Sequence, residues 1–175
     1  MLKLGKIKKN KKSQQVLGMS FGTIFSILLI IFFVIITFIV LKKFLFTSDC
    51  TRVGMFIDGF DEAVQDAWNS QKDTLEFSKS LPKDIEYVCF ADFEKSRTGE
   101  FEKPIGFDIW VFEGSGSNVL FYPSEEACNM RHFYNKHLDI NDLTKRNNPN
   151  CFKTDKGKIT LTLIKEYNSR YVKIR

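Results

Sequence analysis

An uninterrupted apolar segment occupies the first quarter of the chain. Val16 to Leu41 contains no charged residue, and 26 residues at about 1.5 Å each form a helix of roughly 39 Å. A bilayer has a hydrocarbon core of roughly 30 Å, so this helix can cross it with some tilt. The pattern predicts a transmembrane helix over residues 16–46.

A second hydrophobic pattern follows, with apolar residues every three or four positions, which is the spacing of one helix face. Thr47, Ser48 and Asp49 are residue types that cap a helix N-terminus, so a new helix is expected to start there. Acidic and amide residues fill the other positions, as in amphipathic helices that pack on a core. The core-facing residues are Val53, Phe56, Ile57, Phe60, Val64 and Trp68.

From about residue 75 the pattern changes to short runs rich in β-branched and aromatic residues, separated by turn residues. Four of these runs predict strands: TLEFSKSLP, IEYVCFADF, FDIWVFEG and NVLFYP. In the third run both alternating faces are apolar, which indicates a central strand or one covered on both sides. GSGS, at residues 114–117, is predicted to be the hairpin loop between the last two.

The C-terminal part predicts shorter elements. Residues 124–149 are polar and irregular, with a short helix starting at Ser124. NCFKT and KITLTLIKEY are expected to form a hairpin around DKG, and RYVKIR a final edge strand. The predicted fold is α+β: one N-terminal transmembrane helix, then an amphipathic helix packed on a small, mainly antiparallel β-sheet.

The net charge of +5 is concentrated at the N-terminus. Without the six lysines of residues 1–15, the 26 basic residues of the chain fall to 20, against 21 acidic ones. A basic arm before a membrane helix is typical of a cytoplasmic tail attracted to anionic lipid, which argues for a bilayer partner and against nucleic acid. The tail lysines are Lys3, Lys6, Lys8, Lys9, Lys11 and Lys12.

The same asymmetry predicts the topology: residues 1–15 inside and residues 47–175 outside the cytoplasm. The apolar segment is too long for a removable secretory signal and has no small-x-small cleavage site, so a retained signal anchor is expected. Asp49 and Thr47 stand where lipoprotein signals carry a small and an aliphatic residue, which argues against lipidation of Cys50.

All four cysteines fall in the part predicted to lie outside, where an even number favours disulfides over free thiols. Zinc is the alternative ligand, but the gaps of 39, 39 and 23 residues lack the close spacing of structural zinc sites. Three pairings are possible. We favour Cys50 with Cys89 and Cys128 with Cys151, which would tie the helix start to a strand and close the irregular segment.

No catalytic, cofactor or metal site is predicted. His132 and His137 are five residues apart and so lie on different faces of a helix. Cys128 and His132 could form a thiol and its base, but a paired cysteine cannot serve as the nucleophile. GSGS leads into a strand, whereas a phosphate loop opens a helix.

Several segments resemble those of small, uncharacterised single-pass membrane proteins from archaea: LGMSFGTIFSILLIIFF, SLPKDIEYVCFAD, VLFYPSEEAC and NPNCF. That resemblance covers most of the chain and implies a membrane anchor in the cell envelope without an assigned activity. The order of apolar helix, amphipathic helix and sheet is similar to type IV pilins and pseudopilins. A prepilin-type cut after Gly18 would leave Met19 first, but Thr23 then stands where pilins usually carry glutamate.

These observations favour a non-enzymatic, membrane-anchored extracytoplasmic domain that binds or scaffolds an envelope protein or forms a homo-oligomer. A pilin-like subunit and a surface-tethered enzyme with a dispersed site are the alternatives. Eleven of the 18 phenylalanines lie beyond residue 50. They either fill the core or contribute to a binding face.

Overall fold

A computed structural model describes the backbone of residues 13–103 and 105–175, and the side chains of residues 22–101, 103 and 105–175. The six tail lysines predicted to contact lipid lie outside the described residues. The chain divides into two compact units, residues 1–45 and 46–175. Helix α1 (Ser13–Asn69) contributes to both.

In the first unit, every described side chain from Gly22 to Leu45 is exposed. Helix α1 is long and apolar enough to cross a membrane, and its most apolar 18-residue window has a mean hydropathy of 3.4. This single candidate span near the N-terminus fits a single-pass membrane protein.

The expected helix start at Thr47, Ser48 and Asp49 is wrong, because all three lie inside α1. Thr51 Oγ1 donates to the Thr47 carbonyl at 2.9 Å, so a hydroxyl in this region bonds back along the helix. Hydroxyl side chains tolerate helix interiors when they bond a carbonyl four residues earlier. Capping residues therefore gave a false boundary.

The second unit has an α+β fold, as predicted. Its further elements are β1 (Asp73–Ser80), β2 (Tyr87–Phe90), α2 (Ile105–Trp110), β3 (Val119–Tyr122), β4 (His132–Phe133), α3 (Ile140–Leu143), β5 (Asn150–Lys153), β6 (Lys158–Lys165) and β7 (Lys173–Ile174). All strands pair antiparallel in two sheets, with orders β1-β6-β7 and β4-β3-β2-β5.

Four of the six residues of the predicted helical stripe form the centre of the core, whereas Ile57 is half-buried and Trp68 is 37% exposed. Val53, Phe56, Phe60 and Val64 are completely buried, and Phe77 of β1 joins them. The Phe56 and Phe60 rings each meet the Phe77 ring edge-on, at 5.5 and 5.4 Å between centroids. The main cluster of buried residues includes side chains from both sheets, so both sheets pack on this stripe.

The predicted strand FDIWVFEG is wrong, because its first half is helix α2. Ile105 and Ile109 are four residues apart and both are buried, whereas Phe107 is 50% exposed. They pack with Cys89, Leu120 and Cys151 on the face of the four-stranded sheet that α1 does not cover. Short apolar runs suit a strand or a helix equally, which explains the error.

The predicted hairpin of NCFKT and KITLTLIKEY is also wrong. Strand β5 pairs with β2, whereas β6 pairs with β1, so the two strands enter different sheets. The turn itself forms: Asp155 and Lys158 exchange backbone bonds of 2.8 Å, and Gly157 has φ 79°. GSGS is a loop between α2 and β3 rather than a hairpin loop. The short helix at Ser124 (Ser124–Ala127, a 3₁₀ turn) and the final edge strand β7 are confirmed.

All four cysteines form disulfides, but the favoured pairing is wrong. Cys50 pairs with Cys128, and Cys89 with Cys151. Cys89 and Cys151 lie directly opposite each other on β2 and β5, with their Cα atoms 4.0 Å apart. Strand pairing therefore decides the connectivity, which sequence spacing could not reveal. The two closed loops overlap in sequence.

Candidate binding cleft

One cleft of about 650 Å³ opens in the second unit where three loops meet. The loops follow β2 (residues 91–94), precede β3 (residues 113–118) and follow β4 (residues 134–141), and Tyr171 completes the lining. Loops held by a rigid scaffold are the usual position of binding sites. This cleft is the candidate site of the protein.

Two buried asparagines hold the walls of the cleft together. Asn118 donates from its amide to the Asn135 carbonyl at 2.8 Å, and its Oδ1 accepts from the Asn135 N–H at 2.9 Å. Asn135 in turn donates to Asp61 of α1 at 2.8 Å. Since buried amides are costly to leave unpaired, this network fixes the loop after β4 against α1.

A third buried amide holds the loop after β2. Asn148 Oδ1 accepts from the Asp92 N–H at 3.0 Å, while its Nδ2 donates to the carbonyls of Asp92 and Ser96 at 2.8 and 3.2 Å. The side chain is 1% exposed. One residue between α3 and β5 therefore sets the shape of the loop that forms one wall.

The charge of the cleft is negative. Among the residues that the structure describes, its lining contains four carboxylates and one ammonium group, that of Lys136. Asp92 is engaged by Lys95 at 2.8 Å, and Asp139 caps α3 through the Asp142 N–H at 3.0 Å. The side-chain carboxylates of Glu94 and Glu113 have no ion-pair or hydrogen-bond partner among the described residues. Those two carboxylates are therefore available to a ligand.

Aromatic rings complete the lining. Tyr134 is 63% exposed and Tyr171 is 36% exposed. Phe93 is half-buried and packs edge-on against Trp110 at 5.2 Å. Exposed tyrosines give contact area together with a hydroxyl for hydrogen bonding, a combination enriched at protein interfaces.

The two histidines lie apart and contact different aromatic rings at tilted angles. His132 is 4.9 Å from Phe112, and His137 is 4.0 Å from Trp68. The Nε2 atom of His137 is buried and has no hydrogen-bond partner among the described residues. Burial lowers the pKa of His137 below its ordinary value, and the charge of Lys136 lowers it further against the opposing effect of Asp61.

Cys128 is bonded to Cys50 and so is not a thiol that His132 could activate. The sequence predicted neither the cleft nor its amide network. GSGS was the one visible signal, since Gly114, Gly116 and Ser117 line the cleft.

Comparison of the chain with protein-family models, with curated proteins and with solved structures found no match.

Proposed function

We propose that this protein is a single-pass anchor for an extracytoplasmic domain that binds another envelope protein at the cleft. The observation that carries the proposal is the cleft itself, where two unpaired carboxylates and an exposed tyrosine meet on loops fixed by buried amides. Such a surface suits a polypeptide segment that contributes basic side chains to Glu94 and Glu113. Because the partner is a protein, the domain needs no catalytic group.

Site-specific photo-crosslinking tests the binding. A photoreactive phenylalanine analogue replaces Tyr134 in the full chain, which is expressed in the cells in which the protein naturally occurs. The matched control places the analogue at Tyr167, which is 69% exposed and lies outside the cleft. We expect a discrete adduct from position 134 and none from position 167. The same adducts from both positions, or none from either, would contradict the proposal.

The outside location is part of the proposal and is supported by the two disulfides, which persist in oxidising compartments. Thiol labelling of the denatured protein tests it. We expect no labelling of freshly extracted protein without reductant and four labelled thiols after reduction. Four thiols labelled without reductant would place the domain in a reducing compartment.

A pilin-like subunit is the second candidate, and the continuity of α1 favours it. The apolar segment and the core-packing stripe belong to one helix, so the anchor leads into the domain without a linker, as the resemblance to pilins implies. The N-terminal residue of the mature protein decides the matter. Met19 would support this candidate, and an intact lysine tail would exclude it.

A further inference from the structure

Strand β1 is an edge strand with a free side along its whole length. It pairs with β6 over eight residues, from Asp73 with Lys165 to Ser80 with Lys158. In the sheet order β1-β6-β7, no described strand lies beyond β1. A free edge exposes N–H and C=O groups that can pair with a strand of another chain.

The bonds of β6 reveal which groups of β1 point outward. Thr162 forms two backbone hydrogen bonds, of 2.8 and 2.9 Å, with Arg175, the residue after β7. The N–H and C=O groups of the even-numbered residues of β6 therefore point toward β7. Because backbone groups alternate sides along a strand, the N–H and C=O groups of the odd-numbered residues of β6 point toward β1. They form hydrogen bonds with the odd-numbered residues of β1. The outward residues of β1, meaning those whose backbone N–H and C=O groups point away from β6, are Thr74, Glu76, Ser78 and Ser80.

The remaining contacts agree with this assignment. Thr74 donates its N–H to Asp73 Oδ1 at 2.7 Å, as expected of a group that does not bond β6. Outside the ladder with β6, no backbone group of residues 75–80 bonds a described residue. Lys79 does not shield the edge, since its side chain lies against α1, where a methyl group on Gly59 would stand 3.0 Å from Lys79 Cε.

We propose that β1 pairs antiparallel with β1 of a second copy of this chain, with Glu76 opposite Ser78 of that copy. Outward residues must pair with outward residues, which leaves few symmetric registers. A register centred on Glu76 would place the two Glu76 carboxylates opposite each other, which is destabilising. A register centred on Ser78 would pair fewer residues. The register centred on Phe77 pairs residues 74–80 of both copies and places each Glu76 carboxylate opposite the hydroxyl of Ser78.

The anchor favours this partner, because a membrane-spanning helix holds two copies in one bilayer and raises their effective concentration. The pairing joins the two three-stranded sheets into one of six strands. It uses no residue of the cleft. Failure of the dimer and failure of the cleft-binding proposal are therefore separate results.

The test uses the full chain in lipid vesicles, with the dimer fraction measured by single-molecule photobleaching at several protein-to-lipid ratios. Ser78→Pro removes an outward N–H in each copy and no backbone bond to β6, so we expect about tenfold or greater weakening. The hydroxyl of Ser78 also lies 3.1 Å from Thr160 Oγ1 of β6, and that contact is lost equally when Ser78 is replaced by alanine. Ser78→Ala keeps the N–H and is the matched control, expected to dimerise like wild type. Thermal unfolding checks that the proline variant folds.

A charge exchange tests the register without proline. Ser78→Glu places a new carboxylate opposite Glu76 of the other copy and should weaken the dimer, and adding Glu76→Lys should restore it. Restoration supports the register, because in the register centred on Ser78 the two new carboxylates would still oppose each other. The proposal would be overturned if the wild type were monomeric, or if neither Ser78→Pro nor Ser78→Glu weakened the dimer. It would also be overturned if Glu76→Lys failed to restore the dimer of the Ser78→Glu variant.

Discussion

Two stretches of helix α1 place their phenylalanines in opposite environments. Phe38 is 59% exposed among apolar neighbours, whereas Phe60 is fully buried among other rings. Both stretches are rich in hydrophobic residues, so hydrophobicity alone does not tell them apart. The polar residues do: acids and amides alternate with the buried stripe around Phe60 and are missing around Phe38. A helix that packs on a protein core needs a polar face, and one suited to lipid does not.

The largest expected effect comes from breaking the buried stretch. Phe60→Ala leaves a cavity among the rings of Phe56, Phe77 and Phe133, and should lower the free energy of unfolding by about 3 to 5 kcal/mol. Phe38→Ala is the matched control and should change it by less than about 0.5 kcal/mol. Chemical denaturation of the full chain in detergent measures both. Equal losses would erase the distinction between the two stretches.

The disulfide between α1 and the turn at Cys128 gives the next largest effect. Replacing Cys50 and Cys128 together with alanine opens a link between residues 78 apart and should cost about 2 to 4 kcal/mol. The Cys89→Ala, Cys151→Ala pair provides the comparison, since its separation of 62 residues predicts a loss of similar size. Unchanged melting temperatures would show that neither disulfide constrains the unfolded chain.

The burial of His137 beside Trp68, near the end of α1, should make stability depend on pH. Burial holds the folded-state pKa of His137 below the ordinary value of 6.5, so the unfolded chain takes up its proton first as the pH falls. Stability should therefore be complete above about pH 6.5 and decline below it. His137→Gln should remove that part of the decline and His132→Gln should keep it, as followed by Trp fluorescence during denaturation.

The polar face of α1 should tolerate change best. Glu62 is exposed and lies two residues from Phe60 on the opposite side of the helix. Glu62→Ala should alter the free energy of unfolding by no more than about 0.5 kcal/mol, since it removes no buried contact. Calorimetry of this variant beside Phe60→Ala gives the contrast within one turn of helix. A loss above 2 kcal/mol would mean that this face is covered.

Periodicity predicted the elements whose pattern was long or regular. The stripe from Val53 to Val64 and the alternation in β6 were clear because each repeats several times. Helix α2 was mistaken for a strand because six residues hold too few periods to separate a helix from a strand. The hairpin was wrong for a different reason: pairing partners are chosen by the whole sheet, and local turn residues do not identify them.

The cleft could not be predicted, because its parts are distant in sequence and ordinary in type. In the sequence there is nothing unusual about three loop asparagines, Asn118, Asn135 and Asn148. Only the fold buries them, and their side-chain amides then have to form hydrogen bonds inside the protein. The disulfide pairing was hidden likewise, since Cys89 meets Cys151 only after β2 and β5 have paired.

The overlap of the two disulfide loops determines how the domain responds to proteases. Any single cut between Cys50 and Cys151 falls inside at least one loop, so the fragments stay covalently joined. A nicked domain would therefore run as one species on a gel until a reductant is added. A single cut can therefore separate the disulfide-linked part of the second unit from the apolar segment of α1 only if it falls before Cys50.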